Sequence, residues 1–333
     1  MKKILALLLA LWIPAAVLSG CAPQDDSAAS NKLNIVTTIF PAYDWVREIL
    51  GAETDRAEIT TLLDSGVDLH SYQPTVDDIV KISECDLFLY VGGESDGWVD
   101  DALKNAPNKD RKVIRLLDVL GDSAKAEETV AGMQEEEHDH EEEEHGHEEE
   151  AEYDEHIWLS LKNAQVLVAA ISEALQESDP ARKDTYAANA AAYAEKLSAL
   201  DGEYRAAVDS GTYKTLLFGD RFPFRYLADD YGLDYYAAFP GCSAETEASF
   251  ETVSFLAGKM DALGPPCVLT IEGTQHKIAE TIVQNTAQKN QQILTMDSMQ
   301  AVTANDASSG VSYLSIMEKN LSVLKKALGQ EAE

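Results

Sequence analysis

Leu33-Asn-Ile-Val-Thr-Thr-Ile-Phe40 followed at once by Pro41-Ala-Tyr-Asp-Trp-Val-Arg-Glu-Ile-Leu50 is the stretch that decides the fold. Its first part is a short run rich in β-branched residues and reads as a strand, Leu33 to Phe40. From Ala42 to Leu50 the apolar residues recur every three to four positions and read as an amphipathic helix. Working outward, Glu58 to Leu63 is a second strand. Thr75, with Asp78 three residues later, makes a capping box for a helix through Ser83, and the apolar strand Leu87 to Val91 follows. Trp98 to Asn105 is helical and Val113 to Leu117 strand-like. Strands that alternate with helices imply a parallel sheet covered on both faces.

The second half repeats the pattern. Thr215 to Phe218, Asp234 to Tyr236, Val268 to Ile271 and Gln292 to Thr295 read as strands. Helices are expected near Phe224 to Asp230, Ala248 to Ala262, Ile278 to Lys289 and Tyr313 to Leu328. Between the halves lies the least interrupted helical stretch, from Pro180 to about Asp209, with Tyr186, Tyr193, Leu197, Leu200 and Tyr204 at helical spacing as a packing stripe. The expected fold is α/β: two lobes, each with a central, mostly parallel sheet flanked by helices, joined by one long rigid helix. The expected division is 33–179 for the first lobe, 180–210 for the linking helix and 211–333 for the second lobe.

Within the first lobe, the stretch Gln134 to His156 holds five of the seven histidines, fourteen acidic residues and no Lys or Arg. A solvated acidic loop would account for the charge but not for His138, His140, His145 and His147 within ten residues. Imidazoles among carboxylates form a low-specificity trap for borderline divalent cations, zinc above all. The formal charge of −33 leaves the body acidic as well, which disfavours nucleic acid as a partner and would concentrate cations near a site.

In an open parallel sheet, ligands bind beyond the carboxyl ends of the strands. That rule selects His70 after the second strand and Asp220 after the strand ending at Phe218. It also selects Glu272 and His276 after Ile271, and Asp297 after Thr295. His156 stands at the far end of the acidic tract. Two imidazoles with two carboxylates would suit zinc or manganese. His276, at the start of a helix, is expected to be exposed. Outside the cytosol Cys242 and Cys267 are the expected disulfide pair, because both fall in the second half, and Cys85 is expected to be a small buried residue.

The sequence DLHSYQPT (Asp68 to Thr75), followed by Asp77, Ile79, Ile82 and DLFLYVGG (Asp86 to Gly93), resembles the metal-binding lipoproteins of bacterial ABC importers for zinc and manganese. DEHIWLSLKNA (Asp154 to Ala164), TMDSMQ (Thr295 to Gln300) and SYLSIMEKNL (Ser312 to Leu321) match in the same order, so the resemblance runs from Leu33 to about Leu328. It implies two lobes bridged by a long helix, one metal in the cleft between them, and delivery of that metal to a membrane permease. It assigns His70 as first ligand, His156 as second and Asp297 as the carboxylate from the second lobe. Relatives place a His or Glu after the first strand of the second lobe, whereas this chain reads Phe218-Gly219-Asp220-Arg221-Phe222. Asp220 is the nearest available ligand; Arg221 in that slot could not bind a cation, and Glu272 or water would complete the shell.

The N-terminus fits this reading. Lys2 and Lys3 precede an apolar run from Ile4 to Val17, too short and Pro-interrupted for a membrane span. Leu18-Ser19-Gly20-Cys21 resembles a lipobox, which implies removal of residues 1–20, acylation of Cys21 and a tether through Lys32. The expected protein is therefore not an enzyme. It is a monomeric, lipid-anchored receptor on the outer face of the cytoplasmic membrane that captures Zn2+, with Mn2+ as the alternative, for an ABC permease. A zinc hydrolase with Glu272 as base is the competing enzyme class, but no His-Glu-x-x-His helix supports it. A metal-binding surface adhesin is the third class.

Overall fold

The computed structural model describes residues 32–104, 107–134, 152–243, 247–273 and 275–330. The leader, Cys21 and the tract histidines His138, His140, His145 and His147 lie outside the described residues.

Two four-stranded sheets organise the chain. The first holds β1 (Leu33–Thr37), β2 (Ala57–Thr61), β3 (Leu87–Tyr90) and β4 (Lys112–Arg115) in the order β2-β1-β3-β4, every pair parallel. Between and after these strands come α1 (Phe40–Leu50), α2 (Val76–Glu84), α3 (Val99–Lys104) and α4 (Leu116–Leu120). The capping box on α2 forms as expected: Thr75 Oγ1 accepts from the Asp78 N–H and the Asp78 carboxylate accepts from the Thr75 N–H. β3, buried along its whole length, is the apolar strand of a sheet covered on both faces.

The second sheet holds β5 (Thr215–Phe222), β6 (Asp234–Pro240), β7 (Cys267–Thr270) and β8 (Gln292–Thr295) in the order β6-β5-β7-β8, again all parallel. Its helices are α7 (Arg225–Tyr231), α8 (Phe250–Leu263) and α9 (Lys277–Asn285), with α10 (Ala304–Ser308) and α11 (Tyr313–Ala327) after the last strand. In the chain, α5 (Leu161–Ser178) and α6 (Lys183–Ser210) fall between the strands of the first sheet and those of the second. In both sheets the order reverses at the central pair, β1 with β3 and β5 with β7, so each has a switch point at its strands' carboxyl ends.

The 28 residues of α6 span about 42 Å at 1.5 Å per residue. The aromatic stripe faces inward as the spacing predicts: Tyr186, Tyr193, Leu197, Leu200 and Tyr204 are all buried. α6 packs on α1 and α5 and also on α11. Asn189 Nδ2 donates to Ile49 O at 2.9 Å and Tyr204 Oη donates to Met317 O at 2.7 Å, so the helix is fixed to both halves. Buried bonds lock the halves further. The Tyr313 N–H donates to Asp44 Oδ2 at 2.8 Å, Tyr313 Oη to Trp158 O at 2.7 Å, and Trp158 Nε1 to Ser298 O at 2.8 Å. One hydrophobic core runs through Trp45, Trp158, Tyr193 and Tyr313.

The disulfide expected between Cys242 and Cys267 is not formed; both are free thiols, as is buried Cys85. The topology forbids the bond. Cys267 opens β7, Cys242 follows the end of β6, and β5 lies between those strands. Two inter-strand spacings of about 4.8 Å already exceed the roughly 7 Å reach of a disulfide.

Candidate metal centre

His70 sits in the 3-10 turn Leu69–Ser71 beyond β2. The turn is set by Asp68, whose Oδ1 accepts from the His70 N–H at 3.0 Å. Only 7% of the His70 side chain is exposed. Its Nδ1 lies 2.8 Å from Ser95 Oγ, which holds that side of the ring, and 3.4 Å from Glu155 Oε2. Ser95 is held in turn, its N–H donating to Glu155 Oε1 at 2.8 Å. Gly93 makes room for this carboxylate, since a Cβ there would fall 2.1 Å from Glu155 Oε1.

His156 is fully buried. Asp154 Oδ1 accepts from its N–H at 2.8 Å and lies 3.1 Å from its Nδ1, which leaves Nε2 as the free ring nitrogen. The two histidines meet there: His70 Nε2 and His156 Nε2 are 3.2 Å apart, with ring centroids at 5.1 Å. Two zinc–imidazole bonds of about 2.05 Å at a tetrahedral angle would hold their nitrogens about 3.3 Å apart. The pair is thus spaced as two ligands of one zinc ion would be.

The charges around the pair act unequally. Burial, then the neighbouring His156, push the His70 imidazole down to about 3, so it is neutral and its lone pair open to a cation. Burial also opposes a charge on His156, yet Asp154 and then Glu155 outweigh it and raise that ring above the usual histidine value. Arg221 pairs with Asp68, Nη2 to Oδ2 at 2.5 Å, and donates through Nη1 to Ser243 O at 3.2 Å. Its guanidinium therefore stays beside the histidines as a fixed charge and takes no place in a coordination shell.

Among the described residues, one group of His, Cys, Asp and Glu side chains brings three ligand atoms within 4.8 Å of one another: His70, His156 and Cys242. The carboxylates selected from the sequence stand outside it. Asp220 lies inside β5, which runs on to Phe222, and is engaged there. Its Oδ1 accepts from the Arg221 N–H at 2.9 Å and its Oδ2 from the Ile271 N–H at 3.3 Å. Glu272 ties the loop after β8, accepting from the Ser298 N–H at 2.6 Å, Ser298 Oγ at 2.7 Å and the Gln300 N–H at 3.0 Å. Asp297 Oδ1 accepts from the Met299 N–H at 2.8 Å, and burial, then the Glu272 charge, push its carboxyl up to about 6. His276 stands at the residue before α9 and is half-buried, not exposed as expected; its side chain makes no capping bond.

Asp154, Glu155 and Ser95, which surround the pair, were not singled out from the sequence, and Cys242 was read there as half of a disulfide and not as part of this site. The first two hide among the acids of the tract. Spacing could have found Cys242, two residues past the end of β6.

From residue 35 to residue 327 the chain matches the family model for ZnuA, described as zinc-uptake complex component A, periplasmic. The chain belongs to that family. It is 30% identical over 298 residues to the high-affinity zinc uptake system protein ZnuA of Bacillus subtilis, covering 90% of this chain and 88% of that protein. It is 33% identical over 331 residues to the zinc-binding lipoprotein AdcA of Streptococcus pneumoniae, covering 99% of this chain but 62% of AdcA. The chain thus spans less than two thirds of that relative's length. The crystal structure of the Zn(II)-bound ZnuA-like domain of the same AdcA superposes with a TM-score of 0.68 at 29% identity, over 90% of this chain and 100% of that domain. Two parallel sheets joined through a long helix are the architecture this ZnuA-family chain shares with that domain.

Proposed function

We propose that the chain is the extracytoplasmic receptor of a zinc importer, capturing Zn2+ between its two sheets and passing it to an ABC permease. The observation that carries this reading is the 3.2 Å separation of His70 Nε2 and His156 Nε2, with the Nδ1 of His156 held by Asp154 and that of His70 by Ser95. Buried imidazoles oriented through their far nitrogens are how proteins prepare histidine as a metal ligand. The zinc-named relatives support the same cargo, with manganese as the second choice.

In this reading His70 and His156 supply nitrogen ligands, and Asp297 or Asp220 would have to leave its backbone partner to add oxygen. α6, tied to both halves, resists a wide hinge opening, so the ion would order loops around it more than swing the lobes. Residues 1–20 act as a leader, Cys21 carries the lipid and residues up to 32 form the tether. The histidines at 138, 140, 145 and 147 gather zinc weakly and pass it toward His156.

Zinc-limited growth of a cell lacking this gene tests the proposal. The wild-type chain should restore growth in chelator-depleted medium and His156→Ala should not. Equal rescue by both would end the receptor reading.

A further inference from the structure

We infer that Cys242 is a third ligand of the cation, making a two-imidazole, one-sulfur set that favours zinc over manganese. This rests on the receptor reading above and adds the residue that decides which ion the site prefers.

Four observations bring Cys242 there. Its ligand atom falls within 4.8 Å of those of both His70 and His156. Its backbone is fixed, the Cys242 N–H donating to Glu127 Oε1 at 2.9 Å. The preceding residue has no side chain, and none would fit: a Cβ on Gly241 would lie 2.8 Å from Phe222 O and 3.2 Å from His156 Nδ1 and Cε1. Glycine there lets the segment leaving β6 lie against the His156 ring and carries the next residue to the pair. Finally, Cys242 is not engaged in a disulfide.

The rest of the second half leaves that place to Cys242. Asp220 accepts from the Arg221 and Ile271 N–H groups, and Arg221 is paired with Asp68. Asp154, Glu127 and Glu155 stand around the sulfur, and Glu127 Oε1 accepts from the Cys242 N–H at 2.9 Å. Glu155 Oε2 is buried without a hydrogen-bond partner. Carboxylates gathered around imidazole and sulfur donors suit a divalent cation. The other described cysteines are placed differently: Cys85 Sγ donates to Ile82 O at 3.2 Å, and Cys267 is buried in β7.

Sulfur alters selectivity because thiolate is a soft ligand. It binds zinc and cobalt well and manganese, which prefers oxygen, poorly. Zinc bonds of about 2.3 Å to sulfur and about 2.05 Å to nitrogen set the N···S separations near 3.6 Å, so closure asks for a movement of at most about an ångström.

Cobalt(II) titration of the full chain tests this, since a thiolate ligand gives cobalt an intense charge-transfer absorption that imidazole and carboxylate do not. The wild type should show that absorption, Cys242→Ser should lose it, and zinc should then outcompete manganese by on the order of tenfold less. Cys242→Asp should bind metal and shift the preference toward manganese, which separates a ligand role from a folding defect. Tight cobalt binding that depends on His70 but shows no thiolate absorption would overturn the role of Cys242 and leave the receptor reading standing. Cobalt binding unchanged by His70→Ala would overturn both.

Discussion

Asp154 Oδ1 accepts from the His156 N–H at 2.8 Å and sits 3.1 Å from the same residue's Nδ1, so a single oxygen fixes both the main chain and the ring. Replacing it tests whether that hold matters. In Asp154→Asn the amide could donate to Nδ1 and move the ring proton to Nε2, where the metal should bind. Zinc affinity, measured against a chromophoric chelator, should fall roughly 10- to 100-fold while the fold persists. Unchanged affinity would mean the carboxylate serves folding alone.

Acid should favour the metal-free protein at Asp44. Burial pushes this carboxyl from 3.8 up to about 6 although it accepts from the Tyr313 N–H. A raised pKa means the folded state holds the proton more tightly than the unfolded chain. The stability this gives is fully present below 3.8 and is lost as pH rises through about 6. The cost of the ionised form near neutrality is roughly 3 kcal/mol. Asp44→Asn should therefore gain on the wild type in urea unfolding near pH 7.5 and lose that advantage near pH 4. A constant difference across that range would contradict the account.

Deletion of residues 135–150, which removes His138, His140, His145 and His147 but not His156, should leave the tight zinc affinity intact. It should slow uptake when zinc is scarce and have little effect when zinc is plentiful. Unchanged uptake at scarce zinc would show that the tract takes no part in capture.

Most of the fold was legible because the period of the apolar residues changes cleanly between strand and helix. β8 falls at Gln292–Thr295 as read, and Tyr186, Tyr193, Leu197, Leu200 and Tyr204 form the buried stripe of α6. The helix Leu161–Ser178 went unread although Ser160 caps it and Ala164, Leu167, Val168, Ile171 and Leu175 carry a helical period. Strand ends carried the larger consequence. Reading the second sheet's first strand to Phe218 placed Asp220 in an open crevice, whereas the strand runs through a bulge to Phe222 and turns that carboxylate to the Ile271 N–H. Reading the next strand to Tyr236 left Cys242 six residues adrift, whereas β6 ends at Pro240 and delivers it to the histidines. His70 was read from its place after the second strand and His156 from its place at the end of the tract, and their Nε2 atoms lie 3.2 Å apart. Glu155 was not read, because in the sequence it is one acid among fourteen.

The most direct test is zinc binding by the full chain beside His70→Ala and His156→Ala, each competed against a high-affinity chelator. The account predicts one tight site in the wild type, absent from both variants, with only the weak binding of the tract remaining. A tight site that survives either substitution would contradict it.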